Sequence, residues 1–224
     1  MTSRSLSLFA LLAFGMAMLQ AKAASSAADA CTCALHQAFA ASTTAAALPA
    51  PCTRIGPIAL GMRQEQVLAA LGQPDVTRTS AAHPDTLSVV YLYPHEFDAQ
   101  LARQPRPADA LAYGQLAIRF RNGQVTNMIA FSHPDVPLPF DLLGQPVGTD
   151  VDRVLQAIGG SPQWNASRDY VQFPAMPLGV DVDPGTSTIV GLDIATTKQD
   201  LDGFGLPALQ LSKDASNGMV NGVR

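Results

Sequence analysis

The sequence predicts an α+β fold of two tandem modules, each a short helical segment packed on an antiparallel sheet of about three strands. The stretch IGPIALGMRQEQVLAALGQPD, residues 55–75, returns in degraded form as LGQPVGTDVDRVLQAIGGSPQ, residues 143–163. Each copy is followed by segments rich in β-branched and aromatic residues, in the same order. At one constant offset Gly61 falls on Gly148, Val67 on Val154, Leu71 on Ile158 and Gly72 on Gly159; at a second, Val125 falls on Val190, Ile129 on Ile194 and Ala130 on Ala195. Two anchors in one order indicate duplication.

In the first module, Val67, Leu68 and Leu71 form one apolar helical face, which Gly72 and Pro74 bring to a stop. Thr86 to Tyr93 and Gln115 to Arg121 read as strands, the latter with Leu116, Ile118 and Phe120 on one face and Ala117, Arg119 and Arg121 on the other. Asn122-Gly123 is a type I′ hairpin signal leading into Gln124 to Phe131. A two-residue turn then pairs Phe120 with Val125, Ile118 with Asn127 and Leu116 with Ile129, leaving the arginine face wet. The excursion from Pro94 to Gly114 exceeds a hairpin connection and is a candidate recognition loop.

In the second module, Val151, Val154, Leu155 and Ile158 mark a better amphipathic helix, capped by Asp150 and ended by Gly159, Gly160 and Pro162. Strands follow at 169–173, 179–183 and 188–196. Arg119 and Arg121 of the first sheet correspond to Asp181 and Asp183 of the second, so equivalent faces carry opposite charge. Such a surface would discriminate partners electrostatically.

Arg4, the apolar run Leu6 to Leu19 and Ala21-Lys22-Ala23 have the layout of a cleaved signal peptide, the run being too short for the roughly 20 residues of a membrane span. The chain carries 14 basic and 18 acidic residues, and Arg4 and Lys22 leave with the leader, so the mature protein is more acidic still. That balance gives no electrostatic case for nucleic acid or an anionic membrane. The organisation expected is a signal peptide at 1–23, an Ala-rich linker at 24–51 with a short helix near 34–41, modules at 52–132 and 147–198 joined by a proline-rich linker at 133–146, and a polar tail at 199–224.

Of the cysteines, Cys52 is expected to pair with Cys31 or Cys33 in an oxidising compartment. The alternative is a soft-metal site of Cys31, Cys33 and His36, which would make this a periplasmic metal-handling protein. His83 and His133 both stand in His-Pro-Asp turns, and Asp181-x-Asp183-x-Gly185 opens like a calcium loop but lacks its closing acid. The sequence contains no GxSxG elbow, phosphate-cradling glycine loop or HExxH. No enzyme and no cofactor is expected.

The order of apolar entry, Gly61-Met62, short helix, Leu71-Gly72-x-Pro74 and a strand meander, with Gly148, Val154, Ile158, Gly159 and Pro162 in the second copy, resembles the small outer-membrane lipoprotein A module, also that of the outer-membrane assembly lipoprotein E. Its duplication is similar to the β-lactamase-inhibitor-protein architecture. Arg63 stands where that family offers a Ser or Thr cap, and no cysteine directly follows the leader. The resemblance implies an exported, non-catalytic protein-binding module, inhibitor-like or accessory to envelope maintenance. It would be periplasmic or secreted, with a cell-envelope or secreted protein as partner and no membrane segment after cleavage. The residues expected to bind are Arg119, Arg121, Asp181 and Asp183 on the sheets, with Tyr93, His95 and Phe97 at the excursion.

Overall fold

A computed structural model describes residues 30–41, 47–79, 83–93, 114–132, 135–136 and 138–202. The leader, the excursion with His95 and Phe97, His133 and the tail beyond residue 202 lie outside the described residues.

Helix α1 (30–41) precedes a single 3₁₀ turn at Ala50–Cys52 and a two-stranded hairpin, β1 (Arg54–Ile55) and β2 (Ile58–Ala59). Then come α2 (Gln64–Leu71), β3 (Val76–Thr79), β4 (Thr86–Tyr93), β5 (Gly114–Arg121) and β6 (Gln124–Phe131). The second half supplies α3 (Val151–Ile158), β7 (Gln163–Trp164), β8 (Tyr170–Phe173), β9 (Leu178–Asp183), β10 (Thr188–Ala195) and α4 (Lys198–Asp202).

Two separate three-stranded modules do not form. All eight longer-range strands join one antiparallel sheet in the order β3-β4-β5-β6-β10-β9-β8-β7, so the fold is a mostly β single unit. The seam is β6 against β10, with Phe131 opposite Gly191 and Asn127 opposite Ala195. Standing alone, each half would leave the seam-side edge of β6 or β10 unpaired, and pairing across the seam satisfies both rows of backbone groups at once.

The wiring beside the seam recurs. Gly61 N–H donates to Val125 O and Val125 N–H to Met62 O (2.8 and 2.9 Å), while Gly148 N–H donates to Ile189 O and Ile189 N–H to Thr149 O (2.8 Å each). The structural counterpart of Val125 is therefore Ile189 and not Val190. Each side carries the same bulge: Thr126 is passed over between Arg119 and Phe120 on β5, and Val190 between Asp181 and Val182 on β9. An extra residue turns every later side chain to the opposite face. Ile118 consequently faces Met128, and Arg119 faces Asn127, where the sequence paired Ile118 with Asn127. Asn127 leaves the core face, and the counterpart of Ile129 becomes Asp193.

One core follows. Tyr91, Phe120, Met128, Phe173, Leu178, Leu192 and Ile194 line one face of the sheet and cluster with Val67 of α2, Val154 and Ile158 of α3 and Leu35 of α1. Asp150 caps α3 by accepting from Arg153 N–H at 3.0 Å, as its position predicts. At α2 the Gln66 side chain accepts from Arg63 N–H at 2.9 Å, so the missing Ser or Thr cap is half replaced. Gly159 and Gly160 end α3 at φ +76° and +79°, and a Cβ there would stand 2.9 Å from His36 Nδ1 and 2.8 Å from the Phe39 ring. The double glycine thus both stops one helix and admits another against it. Cys31 is bonded to Cys52, which fixes α1 over β8, where the Phe39 and Phe173 rings lie 5.4 Å apart.

Candidate functional site: the polar face of the sheet

The face opposite the core is expected to be wet, and it is not. Arg119 is 6% exposed and Asp181 4%. Helix α4, which the composition hid inside a polar tail, lies over this face at the seam and aims Asp200 at the first half. Arg121 Nη2 reaches Asp200 Oδ1 at 2.7 Å, and Asn127 Nδ2 donates to Asp200 O at 2.5 Å. The hydroxyls of Thr196 and Thr197 each donate to Asp200 Oδ2 at 2.7 Å. Burial on its own would raise the Asp200 carboxyl, but these hydrogen bonds and the Arg121 charge hold it below the ordinary carboxylate value. Burial, with the Arg121 charge beside it, brings the Arg119 guanidinium down to about 10, against the pull of Asp200.

Arg119 is therefore held by the fold rather than offered as an open surface, whereas Arg121 is exposed and tied to Asp200. Asp200→Ala is expected to cost about 2 kcal/mol, because it removes a charge-assisted bond and strips two cations of their acidic neighbour. Urea unfolding measures this; an unchanged midpoint would mean that α4 is not seated on the sheet.

In the second half the same face is acidic. The strands carry Gly179-Val180-Asp181 on β9 and Gly191-Leu192-Asp193 on β10, and the antiparallel register makes them reciprocal: Gly179 opposite Asp193, Asp181 opposite Gly191. Each glycine makes room for a polar group. A Cβ on Gly191 would lie 2.3 Å from Asp181 Oδ2, and one on Gly179 would lie 2.0 Å from the Tyr170 hydroxyl. Tyr170 donates to Asp193. Asp181 Oδ2 and Asp193 Oδ1 are buried without a hydrogen-bond partner.

Burial first, then the charges of Asp193 and Asp169, push the Asp181 carboxyl well above the ordinary range. Burial pushes Asp193 up to about 7, with the Tyr170 hydrogen bond acting the other way. Two desolvated carboxyls side by side cannot both ionise cheaply. Sequence reasoning chose Asp181 but missed Asp193 and Tyr170; the signal was the repeated Gly-x-Asp, an acid inside otherwise apolar strands.

The remaining expected residues scatter. Tyr93 is 4% exposed, its ring edge-on to Phe140 at 5.8 Å, and burial, with Tyr91 and Asp75, raises its hydroxyl to about 12. It belongs to the core and not to a contact surface. Asp183 is spent on its own turn, accepting from Gly185 N–H at 2.8 Å and the Thr186 hydroxyl at 3.0 Å. A metal site of Cys31, Cys33 and His36 would need Cys31 as a thiolate, and Cys31 is in the disulfide. Cys33 is exposed and accepts from Gln37 Nε2, and among the described residues no three metal-type side chains converge.

The β7–β8 turn, unnoticed in the sequence, is an exposed feature tied together by its own hydrogen bonds. Asn165 Oδ1 accepts from the N–H groups of Asp169 and Tyr170 (3.2 and 3.1 Å), and Asn165 Nδ2 and Ser167 Oγ both donate to Asp169 Oδ1 (2.5 and 2.6 Å). Arg168 takes φ +59°, which an L side chain seldom adopts, and its guanidinium lies 4.6 Å from the centre of the Trp164 ring.

By sequence the chain matches no family profile, and no curated protein matches it either. Among solved structures it is similar to a cysteine-rich secretory protein from Staphylococcus aureus, with a TM-score of 0.32 and 11% identity over 72% of this chain and 50% of that one. It is also similar to an extracellular protein containing an SCP domain from Bacillus anthracis, with a TM-score of 0.39 and 16% identity over 73% of this chain and 53% of that one. The chain spans about half the length of both structures.

Proposed function

We propose that the chain is an exported, non-catalytic protein-binding module, inhibitor-like or accessory to envelope maintenance, whose partner is a cell-envelope or secreted protein. Its leader has the layout of a signal peptide, and the Cys31–Cys52 disulfide suits an oxidising compartment. Among the described residues no helix is long and apolar enough to cross a membrane. The observation that carries the binding reading is the β7–β8 turn. Trp and Arg are the residue types that dominate binding energy at interfaces, and here half-buried Trp164 ends β7 while exposed Arg168 sits on a turn prearranged by its own hydrogen bonds, which lowers the ordering cost of association. The strained backbone of Arg168 fits that use, since such strain is concentrated at sites with a task.

The test is affinity capture from envelope and culture-supernatant fractions, with the mature protein beside a Trp164→Ala/Arg168→Ala variant. One protein retained by the first and bound about tenfold or more weakly by the second is the expected result. Equal retention by the two baits would move the contact surface elsewhere, and no retention by either would remove the reading.

A further inference from the structure

The geometry points to a proton-binding site in the second half of the sheet: Asp181 and Asp193 hold one proton between them, and that proton fastens β9 to β10 beneath α4. The two carboxyls stand on neighbouring strands, diagonal to one another through their reciprocal glycines, and Asp181 leans across Gly191 toward the strand that bears Asp193. Cross-strand diagonals of this kind lie within reach of one another.

Among the described residues no cation is paired with either carboxyl. Strand β8 contributes Tyr170, which donates to Asp193, and the turn before it contributes Asp169, whose charge acts on Asp181. Helix α4 contributes Asp202, which is paired with Lys198, and Asp200, which is committed to Arg121. Strand β6 offers Ile129 opposite Asp193 and Phe131 opposite Gly191, both apolar. On β9 itself, Asp183 is held by its turn. The first half of the same face differs in kind, because there buried Arg119 and exposed Arg121 meet an acid from α4. Where the acids outnumber the cations, the compensating charge is a proton. A proton on one carboxyl lowers the charge that these two buried, unpartnered oxygens, Asp181 Oδ2 and Asp193 Oδ1, would otherwise carry.

The linkage has a definite sign. Carboxyls raised in the folded state bind protons more tightly there than in the unfolded chain, so folded stability falls as pH rises from the ordinary carboxylate range through about 7, where Asp193 gives up its proton. Asp200, which is lowered, acts only at the acid end, where its contribution is lost as pH falls below the ordinary carboxylate value.

The experiment is urea unfolding of the mature, disulfide-intact protein at intervals from pH 5 to pH 8.5, for the wild type, Asp181→Asn and Asp193→Asn. The unfolding constant of the wild type is expected to rise roughly tenfold to a hundredfold between pH 5 and pH 8. Asp181→Asn replaces the proton by a fixed donor, so its stability should lose most of that pH dependence and match or exceed the wild type at pH 8. A merely structural aspartate would instead lower stability at every pH and leave the slope intact. A wild-type curve flat or rising over this range, or an Asp181→Asn curve with the wild-type slope, overturns the proposal. Infrared difference spectra of the wild type, native against urea-unfolded at pH 7, keep it falsifiable if the asparagine variants do not fold. A carboxylic-acid carbonyl band in the native state alone is expected, and its absence overturns the assignment.

Discussion

Phe173→Ala is expected to lower the free energy of unfolding by about 3–5 kcal/mol, the range for removing a buried aromatic ring and leaving part of its cavity behind. Phe173 is fully buried on β8, where it closes the core between the sheet and α1, and its ring meets Phe39 at an interplanar angle of 31°. Urea titration and the melting temperature both report the loss. For a chain of this size each kcal/mol moves the melting point by about 2–4 °C. A loss under about 1 kcal/mol would show that α1 does not pack on β8.

Opening the Cys31–Cys52 disulfide by the paired substitutions Cys31→Ser and Cys52→Ser is the second large effect. Closing a loop with a sequence separation of 21 restricts the unfolded chain by about 3 kcal/mol. Replacing both cysteines keeps the exposed Cys33 from capturing a freed partner. The two losses should not add. Once the tether is gone, α1 already spends time off the sheet, and Phe173 has less left to lose, so the combined variant should fall short of the sum by more than about 0.5 kcal/mol. Additivity would mean that the tether and the Phe39–Phe173 contact act on separate parts of the fold.

Local chemistry was legible and distant pairing was not. The cap at Asp150, the stops at Gly72 and Gly159 and the Asn122-Gly123 hairpin were readable because each acts within a few residues of itself. The seam was not, since nothing in QVTNMIAF or TIVGLDIAT states which strand lies next door. The bulges at Thr126 and Val190 carry no marker that alternation would register, and one missed residue carried Asn127 to the wrong face. Matching apolar to apolar then laid Ile129 on Ile194 and concealed the acid pair. The charged strand positions looked solvated because α4, only five residues long and mostly polar, gave no helical stripe to announce a cover. Short β1, β2, β3 and β7 fell below any periodic signal.

The seam also sets the order in which this chain can assemble. The β5–β6 and β9–β10 ribbons zip from their own turns, on the order of microseconds, whereas β6 meets β10 only when two finished ribbons collide in register. Until that collision each ribbon shows the solvent a full-length unpaired edge, and the β10 of a neighbouring molecule fits β6 as well as its own does. The intermediate most exposed to error is therefore a late one with both halves built, and its characteristic wrong product is an exchanged dimer in which two chains trade halves.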